Sequence, residues 1–327
     1  HRFDSVLSLQ IMRILITGVA GFIGFHLAKK LIEQGHEIVG IDNINDYYNP
    51  TLKRLRLSEL NSKKFKFYES DINKMDNFDQ NFDLVINLAA QAGVRVNKEQ
   101  EKNYITSNIY GFKNICNFCS RNKIKRIIYA SSSSVYDDSD SKPFSESKTA
   151  TKPKSLYGMS KLFNEVYASA YASEHNISFL GLRFFSVYGP YGRPDMAYFS
   201  FTELLKKDRV INLHNNGSMK RDMTYIDDVI EGIIASINYS FDNKSKVQNE
   251  IFNLGNDSPI MTSFLLDSLK DILKIEPNIR KIDTTNESIC THADLTKSKR
   301  VLGYNPNTTF DEGIKEFLNW HKTYENL

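Results

Sequence analysis

Ile14-Leu15-Ile16-Thr17-Gly18-Val19-Ala20-Gly21-Phe22-Ile23-Gly24 decides the fold, because it runs an apolar strand directly into Gly-x-x-Gly-x-x-Gly. The next apolar positions, Leu27, Leu31 and Ile32, follow helical spacing. Glycines at such a junction let backbone amides and a helix N-terminus approach a pyrophosphate. A second apolar run, Glu37-Ile38-Val39-Gly40-Ile41, ends in Asp42, eighteen residues beyond Gly24. A carboxylate there accepts from both hydroxyls of an adenosine ribose and repels a 2′-phosphate, so NAD is expected rather than NADP. Three glycines alone also fit a tight turn in some other α/β protein. Strand, glycine loop, helix, strand and terminal acid together describe the opening of a dinucleotide-binding domain.

Working outward, Lys66-Phe67-Tyr68, Leu84-Val85-Ile86-Asn87-Leu88, Arg126-Ile127-Ile128-Tyr129-Ala130 and Ser178-Phe179-Leu180-Gly181-Leu182 read as further strands. Helices are expected over Leu52–Leu60, Asn103–Ser120 and Tyr157–Glu174. Strands separated by helices imply parallel pairing with right-handed crossovers. The expected class is therefore α/β, a doubly wound parallel (Rossmann) sheet over residues 12–188. From Gly189 the pattern loosens through Pro190, Gly192, Arg193 and Pro194, and residues 189–327 are expected to form a smaller substrate domain. Segments near 223–255 are expected to return to the first domain, interleaving the two. Residues 1–11 precede Met12 and the first strand and read as an upstream extension or expression remnant. The Ser-rich, charged stretch Asp137–Ser147 reads as a surface loop, and no internal repeat is present.

Composition narrows the function classes. The 327 residues carry 42 Lys+Arg against 39 Asp+Glu, a formal charge of +3, with the basic residues scattered rather than gathered into a stripe. Nothing in that pattern points to nucleic acid or a membrane surface. Cys116, Cys119 and Cys290 are odd in number and lack paired metal-type spacing, as expected of a reduced compartment. The seven histidines are dispersed, so no metal site is expected. No run approaches the roughly 18 apolar residues of a membrane span, and His1–Ile11 lacks the order of a secretory signal. A cytoplasmic protein is expected.

Tyr157 and Lys161, in Ser155-Leu156-Tyr157-Gly158-Met159-Ser160-Lys161, share one helix face. A phenol titrates near 10, but an ammonium one turn away favours the phenolate and makes it usable as a general base. Tyr-x-x-x-Lys by itself also describes an ordinary solvated helix face. Coming after a glycine-rich phosphate loop, it suggests proton abstraction coupled to hydride transfer.

With the glycine loop, Asp42, a serine-rich strand end and Tyr157/Lys161 in this order, the chain resembles the extended short-chain dehydrogenase/reductase superfamily, and within it the UDP-glucuronate 4-epimerases. The blocks that carry the resemblance are Gly40–Tyr48 (GIDNINDYY), Leu88–Arg95 (LAAQAGVR), Ala130–Tyr136 (ASSSSVY), Gly181–Met196 (GLRFFSVYGPYGRPDM) and Arg221–Asp228 (RDMTYIDD). The NDYY and GRPDM blocks are the specific ones; the others fit many nucleotide-sugar epimerases and dehydratases. The resemblance spans Met12 to His321. It implies bound NAD held by Gly18, Gly21, Phe22, Ile23, Gly24, Asp42, Asn43, Asp71, Ile72, Leu88, Ala89, Ala90, Gln91, Asn108, Tyr157 and Lys161. It implies Tyr157 as the base at the sugar C4 hydroxyl, Lys161 lowering the tyrosine's pKa, and Ser132 bonding the C4 oxygen. Ser133, Ser134 and Ser186 are expected around the substrate carboxylate with Arg193 as a charged contact, Arg221 on the diphosphate, and Arg95 as a further anion contact. Strand-end serines also serve as plain backbone caps, and Arg221 also reads as a surface arginine. The related 4,6-dehydratases carry Asp-Glu at the positions of Ser133 and Ser134, and neither acid is present here.

The chain departs from the family pattern at Ser186 (usually Thr), at Asp137 (usually Gly) and over Thr284–Ser288, where the family has Gln-Pro-Gly-Asp-Val. The last departure bears on which nucleotide sugar is accepted. The expected activity is interconversion of UDP-glucuronate and UDP-galacturonate through a 4-keto sugar, supplying polysaccharide synthesis. A 4-epimerase of another UDP-hexose, such as UDP-glucose or a UDP-N-acetylhexosamine, is the nearby alternative. A non-catalytic NAD-sensing protein is the distant one, since both Tyr157 and Lys161 are intact. A homodimer is implied by the resemblance, built from Asn103–Ser120 and Tyr157–Glu174; Ile105, Ile109 and Phe112 would suit either that face or the core.

Overall fold

The computed structural model describes residues 10–75, 78, 80–94, 98–148, 150, 152–242, 248–283 and 288–325. Arg95, residues 284–287 of the departing segment and residues 1–9 of the extension lie outside the described residues.

Seven parallel strands form the main sheet: β1 (Arg13–Thr17), β2 (Glu37–Asp42), β3 (Phe65–Glu69), β4 (Leu84–Asn87), β5 (Arg126–Ser132), β6 (Ser178–Phe184) and, after β7 (Ser186–Tyr188), β8 (Ile211–His214) and β9 (Lys220–Tyr225), β10 (Asn249–Leu254). Their order is β10-β6-β5-β4-β1-β2-β3. The central strands are apolar along their whole length because helices cover both faces; every residue of β4 is buried. At β1 and β4, where the strand order reverses, ligands bind beyond the strand ends. There Thr17 Oγ1 donates to Asn87 Oδ1 (2.6 Å) and accepts from Ala89 N–H (3.3 Å), fixing the two loops that leave the sheet.

The crossovers are α1 (Phe22–Glu33), α2 (Pro50–Ser58), then α3 (Lys98–Asn103) continuing through a π-helix (Tyr104–Tyr110) into α4 (Gly111–Arg121), and α5 (Leu156–His175). The single helix expected over Asn103–Ser120 is thus interrupted by a wider turn, a feature associated with functional sites. It keeps Tyr104 and Asn108 buried while Ile105 stays 41% exposed and Phe112 enters the core. Cys116 and Cys119 are packed inside α4, where burial pushes both thiols up and leaves them inert.

After β6 the chain builds α6 (Ala197–Lys206) and α7 (Ile226–Phe241) before β10, then β11 (Pro259–Met261), α8 (Thr262–Leu273), β12 (Ile279–Ile282), α9 (Thr296–Leu302) and α10 (Phe310–Tyr324). β11-β9-β7 and β12-β8 make two small sheets. One continuous core joins them to the main sheet through Phe185, Tyr188, Tyr198, Phe310 and Phe317. The Asp137–Ser147 stretch is a surface loop anchored at one point: Phe144 is 1% exposed, stacks on Tyr136 with centroids 4.6 Å apart, and its N–H donates to His292 C=O. Among the described residues no helix is long and apolar enough to cross a membrane.

Candidate active site

Two clefts meet beyond the C-terminal ends of the strands. The first encloses about 1370 Å³, counting space open to solvent, and is lined by Gly18, Gly21, Phe22, Ile23, Gly24, Asp42, Asn43, Asp71, Ile72, Leu88, Ala89, Ala90, Gln91, Tyr157 and Lys161. Its floor is backbone. At Gly18, φ is +72°, and a Cβ would sit 2.7 Å from Ala89 N, so only glycine lets the β1 loop pass the β4 loop. Asp42 ends β2 with its carboxylate held by Ile44 N–H (2.9 Å) and Ala20 N–H (3.2 Å). Burial raises its pKa, opposed first by the charge of Lys53 and then by those two hydrogen bonds. Asp71 accepts from Asn73 N–H (2.8 Å) and from Asn43 Nδ2 (3.2 Å). A glycine cradle that a Cβ would fill, a buried acid at the end of β2 and a cleft at the point of strand-order reversal fit a dinucleotide.

Asn108 does not line this cleft. Its Oδ1 accepts from Gln91 N–H (2.7 Å) while Nδ2 donates to Gln91 C=O (3.1 Å) and Ser160 Oγ (2.9 Å), so it braces the Gln91 loop and helix α5 from behind. The π-turn that carries it also offers the Asn108 carbonyl to Asn164 Nδ2 (2.7 Å).

The second cleft, about 3780 Å³ with its open space, is lined by Ser133, Ser134, Ser186, Arg193 and Arg221. Tyr157, Ser132 and Arg193 line both clefts and so stand at their seam. Ser155 caps α5 by accepting from Gly158 N–H (3.0 Å), which places Tyr157 in the first helical turn. Ser132 Oγ accepts from Ser134 N–H (3.1 Å) and lines the same two clefts as Tyr157. Lys161 is buried; its Nζ donates to Ala130 C=O (2.8 Å) and lies 5.9 Å from the Tyr157 ring centroid.

The electrostatics differ from the sequence expectation. Burial pushes the Tyr157 phenol above its ordinary value, and the opposing influences are the charge of Arg193 and the neighbouring Ser132 hydroxyl. Burial depresses the pKa of Lys161 to about 8, which still leaves it positively charged at neutral pH one helical turn from Tyr157.

Behind the strand end, Glu165 receives Ser131 Oγ (2.5 Å) and Arg183 Nε (2.8 Å) on one oxygen and Arg183 Nη2 (2.7 Å) on the other. This buried pair fixes the serine ladder. Arg221 Nη1 donates to Lys220 C=O (2.9 Å) and Ser288 C=O (2.8 Å) at the rim of the second cleft. Glu203, His321 and Glu325 lie close enough to hold a cation, but Lys206 Nζ bonds both Glu325 and His321 Nδ1, and the group is an ion-pair network.

Sequence reasoning missed Tyr47, Arg56, Tyr104 and Asp195. Arg56, 0% exposed, donates to Ala20 C=O, Tyr48 hydroxyl, Tyr191 C=O and Gly192 C=O, tying the glycine loop to the segment before Arg193. Tyr47 hydroxyl donates to Asp195 Oδ2 (3.0 Å), so the NDYY and GRPDM blocks, singled out as specific, meet in space. That specificity was the signal available.

Residues 14–255 match the model of the NAD dependent epimerase/dehydratase family. UDP-glucuronate 4-epimerase 4 of Arabidopsis thaliana is 40% identical over 95% of this chain and 75% of its own length. Protein CapI of Staphylococcus aureus is 42% identical over 96% of this chain and 99% of its own. Among solved structures, UDP-glucuronic acid 4-epimerase from Bacillus cereus, in complex with UDP-glucuronic acid and NAD, superposes with a TM-score of 0.89 at 31% identity, covering 96% of this chain and all of that one. This chain, with its glycine cradle, its buried ribose-side acid and Tyr157 at the seam of two clefts, belongs to the NAD-dependent epimerase/dehydratase family, in the branch of the UDP-glucuronate 4-epimerases.

Proposed function

We propose that this chain is an isomerase that interconverts UDP-glucuronate and UDP-galacturonate through a transient 4-keto sugar, with NAD retained throughout. The observation that carries the reading is the seam: Tyr157 and Ser132 face a dinucleotide cleft on one side and a serine-rich cleft on the other. When bound, NAD supplies a reversible acceptor for the hydrogen on C4. Tyr157, as phenolate, takes the C4 hydroxyl proton and later returns it, while Ser132 donates to the C4 oxygen and Lys161 braces the site from the next helical turn. The sugar turns over between the two half-reactions, and no net oxidation occurs.

A ketone at C4 beside the carboxylate on C5 is a β-keto acid, which loses carbon dioxide when the carboxylate aligns with the carbonyl. Ser133, Ser134 and Ser186 line the second cleft and serve as neutral donors that hold the carboxylate out of that alignment, with Arg193 as its charged contact. Arg221 holds the diphosphate, a role suited to a guanidinium fork. Residues 189–327 act as the nucleotide-sugar-binding unit, with β10 contributing to the main sheet. The remainder of the reading is a cytoplasmic homodimer that supplies polysaccharide synthesis. The homodimer is supported by Ile105, Tyr110 and Val166, which stand 41%, 55% and 64% exposed on the two helices expected at a dimer face.

Purified protein incubated with UDP-glucuronate and no added NAD, with products resolved by anion exchange and proton NMR, tests the reading. UDP-galacturonate is the expected product. UDP-xylose or its 4-keto precursor would show an unprotected carboxylate, and turnover of UDP-glucose alone would transfer the chemistry to a neutral sugar.

A further inference from the structure

Arg193 stands in a clamp. Its Nε and Nη2 donate to Asp195 Oδ1 (3.0 Å) and Oδ2 (2.5 Å), a bidentate fork that fixes the plane of the guanidinium. Tyr47 hydroxyl donates to the same Oδ2 (3.0 Å), and the Arg193 guanidinium carbon lies 5.9 Å from the Tyr47 ring centroid. The clamp has a backbone requirement. Gly93 has φ of +89°, and a Cβ there would lie 2.2 Å from the Tyr47 hydroxyl, so a side chain at this position displaces the donor that holds Asp195.

The titratable groups around Tyr157 come from five elements. Lys161 is on its own helix, Tyr104 on the π-helix has its ring centroid 6.1 Å away, and Arg193 and Asp195 belong to the segment after β7. Tyr47, with Arg193, links the NDYY loop to this group, and Glu101 also lines the second cleft. Burial pushes Tyr47 up to about 12, aided by Asp195, and Tyr104 up to about 12, aided by Tyr157. Both therefore remain hydroxyl donors at neutral pH, Tyr104 to Gly93 C=O at 2.6 Å. Two positive groups, Lys161 and Arg193, face Tyr157 in this set. Lys161 Nζ donates to the Ala130 carbonyl, and among the described residues no group accepts from Arg193 Nη1.

We propose that Tyr47 and Asp195 are positioning residues that fix the Arg193 guanidinium at the seam, and that this aimed charge, beyond what Lys161 supplies, readies Tyr157 to act as the base. The proposal rests on the epimerase reading for its catalytic meaning, and on the clamp geometry for its substance. It gives a variant that removes the Asp195 charge the opposite sign from simple electrostatics. Asp195 is itself an anion near Tyr157 and by its charge alone raises the phenol. Removing that charge would lower the pH at which Tyr157 ionises if Asp195 acted directly. If Asp195 acts by aiming Arg193, its removal raises that pH.

The test is a spectrophotometric pH titration of the phenolate in the NAD-loaded protein, taken as the difference between each protein and its Tyr157→Phe counterpart so that the other tyrosines cancel. Asp195→Asn is expected to raise the ionisation pH of Tyr157 by about one unit, a tenfold loss of phenolate at a given pH below it. Tyr47→Phe, which removes only a hydroxyl and keeps the ring, is expected to shift it in the same direction by less, and Arg193→Gln by more. In turnover of UDP-glucuronate, Tyr47→Phe is expected to lose kcat about threefold to tenfold with KM little changed, and to recover as pH is raised. A fall in the ionisation pH of Asp195→Asn, or no movement in both Asp195→Asn and Tyr47→Phe, overturns the proposal, as does a loss of kcat that raising pH does not restore. Should Asp195→Asn not fold, Tyr47→Phe carries the test alone. If the wild-type protein fails to epimerise UDP-glucuronate while the titration shifts as described, the substrate reading fails and the positioning role stands.

Discussion

The two clefts that meet at Tyr157 are built from different materials. The cofactor cleft is made of backbone: glycines, alanines and strand ends whose positions follow from the sheet, with Asp42 its one buried acid, held by two N–H groups. The sugar cleft is made of side chains brought from the NDYY loop, the π-helix, the β5 end, the β7 segment and the β9 strand. Backbone sites tolerate almost no substitution at their glycines. Side-chain sites spread their energy over many contacts, so each one is individually replaceable.

The largest effect is expected where the clefts join. Tyr157→Phe keeps the ring and its packing but removes the proton carrier, and kcat should fall by about 10² to 10⁴ with the fold intact, as read by steady-state kinetics and circular dichroism. A variant within tenfold of wild type would move the base elsewhere. Next comes the backbone cleft: Gly18→Ala forces a side chain into a left-handed conformation against Ala89 N. It is expected to cost roughly 2 kcal/mol or more in denaturant unfolding and to strip NAD from the purified protein. If it binds NAD normally, the cradle is looser than the geometry states.

A pH experiment sharpens the contrast further. The folded-state pKa of Lys161 is depressed to about 8 from an ordinary value of 10.5 by burial. The unfolded chain therefore binds the extra proton between those values, and stability attributable to this group rises as pH climbs through that window. Against Lys161→Met, wild-type protein without cofactor should gain Tm between about pH 8 and 10.5, and a flat difference would mean that Lys161 is better solvated than its 3% exposure implies. The smallest effect belongs to the side-chain cleft. Ser134→Ala is expected to reduce kcat/KM by about twofold to tenfold, the worth of one neutral hydrogen bond, and to release a trace of decarboxylated product. A hundredfold loss would make the serine cleft as intolerant as the glycine cradle and erase the distinction.

That distinction also explains what was legible in the sequence. The glycine loop, Asp42 and the six strands from β1 to β6 could be read because backbone geometry dictates residue type at fixed spacing. Tyr157 and Lys161 could be read because a helix fixes the i, i+4 relation. Asn108 could be found but not understood, since sequence does not separate a residue that touches a ligand from one that braces the loop beside it. The π-turn at Tyr104–Tyr110 left no pattern at all. Arg56 drew no reading from sequence, yet it is buried with its donors spread over carbonyls from segments more than a hundred residues apart. Tyr47 and Asp195 were visible only as members of specific blocks, because their meaning depends on a contact across 148 residues.

The central claim is that Tyr157 at the seam moves a proton while the C4 hydrogen stays inside the closed pair of sugar and bound NAD. UDP-glucuronate carrying deuterium at C4, turned over in ordinary water without added NAD, tests it most directly. The account expects UDP-galacturonate that retains the deuterium at C4. Product with the label washed out into solvent would contradict it.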